Sequence, residues 1–447
     1  MRLQAGLLAA RATGTALRLA GRGGTSLPGK VLMRAEPHAI ARLAARLPNG
    51  SVVVSATNGK TTTAAMVATV LGRTGTRLVH NRAGANMAGG VATALASGSG
   101  DMGLFEVDEF WLGPVAAELE PRAVLLGNLF RDQLDRYGEL EIIADRWAEI
   151  VARLPDETAL VLNADDPLVA DLGRHREALY FGVEDDALAL PELQHASDSK
   201  HCRRCGHAYV YEAAYLAHLG HYACPNCGAR RPQPAVSASA VELHGIRAAT
   251  FTLRAPDGER RIELPLPGLY NVYNALGAAA LCLRLGVPLD DVAAGLGAVE
   301  PAFGRAETLD LRGRPTSILL IKNPAGANEV LRTLALEASE LDLFGVLNDR
   351  TADGRDVSWV WDADWEILAP KVRRLTCSGT RAAELALRLK YAGVDPARLE
   401  VVEDLERGLD RALAAGQGPL YALPTYTALL ELRELLARRG DAREYWR

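Results

Sequence analysis

No apolar run in this 447-residue chain is long enough to cross a bilayer, and no stretch reads as a secretion signal. A polytopic membrane protein is thereby set aside, and a reducing cytoplasm is the expected setting. Excess positive charge is missing as well. With 50 Lys and Arg against 55 Asp and Glu the net charge is −5, whereas a general nucleic-acid binder carries a basic footprint. No internal repeat or low-complexity tract is visible, which sets aside repeat architectures. Cysteine is sparse: of six, four stand in one cluster, and Cys282 and Cys377 read as buried singles without a nucleophile's setting. What the chain does have is 49% hydrophobic residues over a length that can bury two or three cores.

The cysteine cluster is Cys202-Arg-Arg-Cys205, then 18 residues, then Cys224-Pro-Asn-Cys227. A two-residue spacer lets both sulfurs of a pair reach one ion, so two such pairs predict a closed tetrahedral zinc site; disulfides or a redox pair are the competing readings. Gly206 and Gly228 suit the knuckles where the backbone turns toward the metal. Four sulfurs leave no coordination position for substrate. The zinc is therefore expected to be structural, with His201, His207, His218 and His221 as spare ligands or solvated loop residues.

A second signal lies at Ser51-Val-Val-Val-Ser-Ala-Thr-Asn-Gly-Lys-Thr-Thr-Thr63. The β-branched run Val52 to Val54 predicts a buried parallel strand and Ala64 to Leu71 a helix, so Gly59-Lys60-Thr61 falls at a helix N-terminus. Backbone N–H groups there cradle phosphate, Lys60 reaches the β- and γ-phosphates, and the Thr61 hydroxyl can ligate magnesium. Val54 occupies the place of the first glycine of the usual motif, and a chance Gly-Lys-Thr in a loop is the bland alternative. Downstream, Leu104-Phe-Glu106-Val-Asp108-Glu109 is an apolar run ending in carboxylates, with Glu106 and Glu109 as candidate magnesium ligands or a solvated strand end.

Further segments follow in a telling order: Gly127-Asn-Leu-Phe-Arg-Asp132-Gln133-Leu-Asp135, Asn163-Ala-Asp165-Asp166-Pro167, Gly268-Leu-Tyr270-Asn271-Val-Tyr-Asn274 and Phe303-Gly304-Arg305-Ala-Glu307. Together with Ala56-Thr-Asn-Gly-Lys-Thr-Thr they resemble the Mur ligases and folylpolyglutamate synthases. Gln133 stands where that family has a metal-contacting histidine, and Tyr270 replaces the histidine of the family's Gly-x-His-Asn-x-x-Asn-Ala helix start. The four-cysteine insertion, the absence of a UDP-binding domain and the stretch Asp353-Gly-Arg-Asp356-Val-Ser-Trp-Val-Trp-Asp362 narrow the resemblance to the MurT family.

That resemblance implies a Mur-ligase-like P-loop ATPase domain at 49–305, carrying a zinc ribbon at 196–235, followed by a Rossmann-like α/β domain at 306–447 and preceded by a basic helical segment at 1–48. It implies an ATP site made of Thr57, Asn58, Gly59, Lys60, Thr61, Thr62, Asn86, Asn274, Arg305 and Lys322, with Asn274 at the adenine and Arg305 at the phosphates. It also implies a reaction: ATP-dependent amidation of the D-glutamate α-carboxylate of lipid II or a related muropeptide, through an acyl phosphate. Ammonia would come from a GatD-like glutaminase subunit, whose Cys-His pair an aspartate of this chain completes. Asp356 is the first choice, as it follows a flexible Asp353-Gly-Arg turn; Asp353 and Asp349 are fallbacks, and solvated capping aspartates are the bland reading. Lys322 has a competing reading as a surface lysine.

From period and punctuation alone, residues 50–195 alternate strands and helices as a doubly covered parallel sheet does, and short strands are expected at 317–321, 341–347, 374–377 and 419–422. Met1 to Ala35 holds six basic residues, Arg2, Arg11, Arg18, Arg22, Lys30 and Arg34, and no acidic one. An amphipathic helix is expected there, able to rest on an anionic membrane or to pack on its own domain, with Gly21 to Lys30 as a tight loop near the nucleotide. Two other functions remain open at this point: an amino-acid-adding ligase on the same ATPase core, and a zinc-ribbon nucleic-acid-binding ATPase, which the acidic charge balance disfavours.

Overall fold

In the computed structural model, residues 2–19, 24–81, 84–132, 139–194, 197–300, 307–416 and 418–442 are described. The first sheet has nine strands: β1 Ser51–Ser55, β2 Leu78–His80, β3 Met102–Glu106, β4 Ala123–Leu126, β5 Ala159–Asn163, β6 Ala178–Val183, β9 Val236–His244, β10 Ala248–Ala255 and β11 Gly258–Leu264. Their order is β11-β10-β9-β6-β5-β4-β1-β3-β2. All pairings are parallel except those of β10 with β9 and with β11. Strand β1 is bonded to β3 on one side and β4 on the other, so the chain order reverses about it. The carboxyl end of such a strand opens into a crevice.

Successive side chains of β1 and β3 alternate between two cores, Val52, Val54 and Leu104 on one face and Val53 and Phe105 on the other. This is why the Val run carries no polar alternation: both faces are dry, and each fully buried Val contributes about 1.5–3 kcal/mol. Helices Lys60–Arg73 and Leu269–Arg284 cover the first face; Ala88–Ser97, Leu112–Leu119 and Leu140–Arg153 cover the second.

Helices Arg2–Leu19 and Leu27–Ala35 join that second core through Leu3, Leu7, Ala10 and Leu32. Packing on its own domain therefore accounts for the inner face of the N-terminal helix. The loop expected at 21–30 is corrected in part: from Leu27 the chain is helical, with Pro28 in the first turn where its missing N–H costs nothing. Gly29 abuts helix Ala88–Ser97 so closely that a Cβ would lie 1.9 Å from the Gly89 carbonyl oxygen. Residues 20–23 lie outside the described residues.

The second sheet runs β12-β13-β17-β14-β15-β16, from β12 Glu307–Leu311, β13 Arg314–Ile318, β14 Leu341–Val346, β15 Val372–Ser378, β16 Leu399–Val401 and β17 Leu420–Pro424. Only the β12–β13 pair is antiparallel. The strand expected at 317–321 starts earlier and its ladder ends at Ile318, yet Leu319 N–H still donates to the Ala422 carbonyl at 2.8 Å and Ile321 N–H to the Pro424 carbonyl at 3.0 Å. These bonds carry Lys322 to the edge of the first sheet. Strands β12 and β16 were not expected from the sequence. Both are short edge strands, where apolar patterning is weakest. A third, two-stranded hairpin, β7 Val210–Leu216 with β8 Leu219–Ala223, is the body of the cysteine-rich insertion.

Candidate active site

A cleft of about 410 Å³ opens between the carboxyl edge of the first sheet and helix Pro324–Ala335 of the second. The Gly59-Lys60-Thr61 turn forms its floor. Gly59 has φ +85°, a left-handed conformation open to glycine, and a Cβ there would sit 2.0 Å from Asn274 Oδ1. Asn128 clamps the same turn from both sides: its Oδ1 accepts from Asn58 N–H at 2.8 Å and its Nδ2 donates to the Asn58 carbonyl at 3.0 Å. Thr57 Oγ1 accepts the Phe130 N–H at 3.1 Å. The turn is thus held in shape by the loop after β4, leaving its own N–H groups at the start of helix Lys60–Arg73 facing the cleft.

Of the nucleotide set, Thr57, Asn58, Gly59, Lys60, Thr61, Thr62, Asn86, Asn274 and Lys322 all line this one cleft, with Glu106 and Glu109. Asn274 packs beside Gly59, its Oδ1 accepting from Thr63 Oγ1 at 3.3 Å and its Nδ2 donating to Asn271 Oδ1 at 3.0 Å. Arg305, Gln133 and Asp135 lie outside the described residues.

The electrostatics differ from the sequence expectation at one point. Glu109 is paired with Lys60 at 2.8 Å, both side chains being about nine-tenths buried. Lys60 also donates to the Ala56 and Thr57 carbonyls. Burial alone would lower the Lys60 pKa, but the charges of Glu109, Asp108 and Glu106 hold it above the usual lysine value. Burial likewise opposes ionisation of Glu109, and Lys60 with Lys322 overcomes it and holds its carboxyl below the usual range. Asp108 is raised, by burial and then by Glu109. A buried ammonium needs a counter-charge. Glu109 is therefore engaged with Lys60, which leaves Glu106, buried and 3.5 Å from Asn86 Nδ2, as the freer carboxylate. Among the described residues, Thr61 Oγ1 is buried with no hydrogen-bond partner, as is Asp132 Oδ1. An unpartnered hydroxyl among carboxylates fits the oxygen-ligand chemistry of magnesium.

From the second sheet, Lys322 Nζ reaches Asp132 Oδ2 at 2.5 Å and the Thr57 carbonyl at 3.0 Å. The surface-lysine reading gives way to a bridge between the two sheets. Beside it, Asn323 and Asn58 exchange reciprocal amide bonds, each 3.1 Å. Asn323 also caps its helix by accepting from Gly326 N–H at 2.9 Å. Sequence reasoning missed Asn323 as a site residue, although Asn-Pro is a helix-start signal.

The insertion brings Cys202, Cys205, Cys224 and Cys227 together with all sulfurs within 4.8 Å of one another, and the Cys202–Cys227 and Cys205–Cys224 contacts are 3.5 Å. None is in a disulfide. Gly206 and Gly228 both have φ +73°, as knuckles require. Four converging soft donors suit zinc. The histidines need one correction. His201 and His207 are exposed, but His218 is fully buried, its ring centroid 5.0 Å from that of Phe130 and its Nε2 3.5 Å from Asp166, and the half-buried His221 has Nε2 3.0 Å from the Val183 carbonyl oxygen. These two face the sheet because they sit at the hairpin tip and on its inner side.

The three candidate aspartates stand in distinct settings. Asp356 is exposed, one oxygen accepting from Ser358 N–H at 2.8 Å, which lowers its pKa. Asp353 is buried against the start of helix Tyr426–Arg439, accepting from Thr427 N–H at 2.7 Å, and burial raises it. Asp349 is held down by the Thr380 hydroxyl at 2.8 Å and by Arg381 at 3.2 Å. Cys282 and Cys377 are buried, which pushes both thiols up. Neither is placed to be a nucleophile.

Family models match twice: "Mur ligase middle domain" over residues 54–229 and "MurT ligase C-terminal" over residues 320–429. The chain is 34% identical over 446 residues, 98% of each protein, to the lipid II isoglutaminyl synthase (glutamine-hydrolyzing) subunit MurT of Streptococcus pneumoniae. The chain belongs to the MurT family. To the subunit of the same name from Staphylococcus aureus it is 33% identical over 95% of each chain. The fold of this MurT family member is shared with a pseudomurein peptide ligase type C from Methanothermus fervidus (TM-score 0.69, 23% identity, 89% of this chain and 80% of that one). It is shared too with the folylpolyglutamate synthase of Mycobacterium tuberculosis complexed with ADP and AMPPCP (TM-score 0.62, 19% identity, 93% and 98%). Among the described residues, no helix of the MurT family member is long and apolar enough to cross a membrane.

Proposed function

We propose that this chain is the synthetase subunit of a lipid II isoglutaminyl synthase, amidating the D-glutamate α-carboxylate of the stem peptide to D-isoglutamine with ammonia from a GatD-like glutaminase subunit. The full-length similarity to the MurT subunits carries the reading, and the cleft supports it. A carboxylate is a poor electrophile. Transfer of the γ-phosphoryl group of ATP to one carboxylate oxygen gives an acyl phosphate and ADP; ammonia then attacks the acyl carbon, phosphate leaves, and a proton from the ammonia goes to solvent. The turn at Gly59 orients the phosphates, while Lys60 and Lys322 bring positive charge from opposite walls to where charge accumulates. Once phosphate is present, Lys60 exchanges its carbonyl partners for phosphate oxygens, with Glu109 keeping it ionised. Magnesium, arriving with ATP, would neutralise phosphate charge, and Thr61 Oγ1 and Glu106 are the groups that would hold it. The four cysteines would hold zinc.

Asp356 is exposed and its carboxylate is kept ionised by its bonds from Ser358, and it would orient the histidine of the partner's Cys-His pair. The apolar outer side of helix Arg2–Leu19, with Leu8 67% and Leu19 86% exposed near Arg11 and Arg18, would rest on the anionic membrane that carries the substrate. The deciding assay is amidation of lipid II by the complex with glutamine or with ammonium as nitrogen source. Lys60→Ala should abolish both. Asp356→Asn should lose glutamine-dependent turnover by orders of magnitude and recover with ammonium. Glutamine-dependent activity surviving Asp356→Asn would remove its role, and near-normal turnover in Lys60→Ala would remove the ATP site.

A further inference from the structure

The cysteine-rich insertion ends somewhere its motif does not announce. Its sulfurs gather at the open end of the β7–β8 hairpin, where Cys205 precedes β7 and Cys224 follows β8 directly. The closed end, Leu216-Ala-His-Leu219, enters the cleft: Leu216 and Leu219 are 4% and 1% exposed and line it. The tip is held there from several sides. Gly220 N–H donates to the Asp165 carbonyl at 2.9 Å and Ala217 N–H to Gln194 Oε1 at 2.7 Å. His218 packs on Phe130, whose N–H bonds the phosphate-binding turn through Thr57. Across the cleft, Arg332 of the second sheet's helix donates to the Tyr215 carbonyl at 2.8 Å and pairs with the buried, cleft-lining Glu329 at 2.9 Å. A ribbon serving only as a surface staple would need none of these contacts.

We infer that the tip of the ribbon hairpin is part of the nucleotide site, with Leu216 and Leu219 forming an apolar wall against the purine ring of ATP. Charge places the ligand. The Gly59 turn takes the phosphates, and the side of the cleft with Glu109, Asp132, Lys60 and Lys322 is ionic. Leu266 and Tyr273 join the two leucines in an apolar and aromatic stretch of the lining, edged by the polar Asn271, Asn274 and Glu329. A flat heterocycle gains by leaving water for such a wall, whereas a polyphosphate gains nothing there. The insertion thus acts on the ATP-binding step, a positioning role distinct from phosphoryl transfer.

This inference rests on the ATP reading of the cleft, and the test separates the two. Binding to the full-length complex is measured by calorimetry for a non-hydrolysable ATP analogue and for inorganic tripolyphosphate, with zinc content and Tm recorded for each variant. Leu216→Ala and Leu219→Ala should each weaken the analogue about tenfold while leaving tripolyphosphate affinity unchanged. Leu219→Met, which keeps the apolar volume, should stay near wild type and covers the case in which an alanine variant fails to fold. Unchanged analogue affinity in zinc-replete alanine variants overturns the inference alone, as does an equal loss for both probes. A wild-type complex that binds neither probe overturns the ATP reading and the inference with it.

Discussion

Gly59→Ala is the substitution whose cost can be worked from the structure. Two terms add. An L-residue held at φ +85° costs about 1–2 kcal/mol. The new Cβ also falls 2.0 Å from Asn274 Oδ1, so Asn274 must turn away and forfeit its bonds to Thr63 and Asn271, about 0.5–1.5 kcal/mol each. The sum is about 2–5 kcal/mol against the bound shape of the turn, or roughly thirty-fold to several thousand-fold in ATP affinity if the strain is relieved by distorting the turn. Gly286→Ala supplies the control: φ is +86°, yet nothing lies within 4 Å of its Cβ, so only the first term applies, at a helix end outside the cleft. Calorimetric titration with an ATP analogue and thermal unfolding should therefore diverge. Gly59→Ala loses binding, Gly286→Ala loses only stability, and Asn274→Ala on the Gly59→Ala background recovers part of the loss. Wild-type ATP affinity in Gly59→Ala would refute the reasoning, and so would an Asn274→Ala background that restored nothing.

Other outcomes follow from the same contacts. Because Glu109 is held below its ordinary value of 4.5, its pairing with Lys60 contributes stability above that pH and loses it as pH falls through the folded value. Acid unfolding followed by circular dichroism should show a shallower loss below about pH 4.5 in Glu109→Gln than in wild type, because the pH dependence of this one group is removed. Metal analysis should find one zinc per chain, and Cys202→Ser or Cys227→Ser should release it and lower Tm; intact zinc in either variant would contradict a four-sulfur site. In a vesicle sedimentation assay, the complex should bind anionic but not neutral liposomes, and Leu8→Asp with Leu19→Asp should remove that binding. Retention of binding in the double variant would show that the helix is not the contact.

Short-range patterns were legible because the physics behind them is short-ranged. The Val52–Val54 run, the Gly59-Lys60-Thr61 helix start and the paired Cys-x-x-Cys each draw on residues a few positions apart, so the strand, the glycine turn at the helix start and the sulfur cluster follow from sequence. Tertiary structure alone decided the partners across distance. Only the parallel order that puts β3 beside β1 brings Glu109 to Lys60, 49 residues away, and gives the buried lysine its counter-ion. Lys322 and Asn323 meet the turn from 265 residues away. Nothing in Leu216-Ala-His-Leu219 announced that a zinc-ribbon hairpin would dip its tip into the cleft and bury His218. Pairings of this kind arise when separate layers close on one another and desolvate whatever lies between them, and desolvation belongs to the packed interface, which local sequence does not contain.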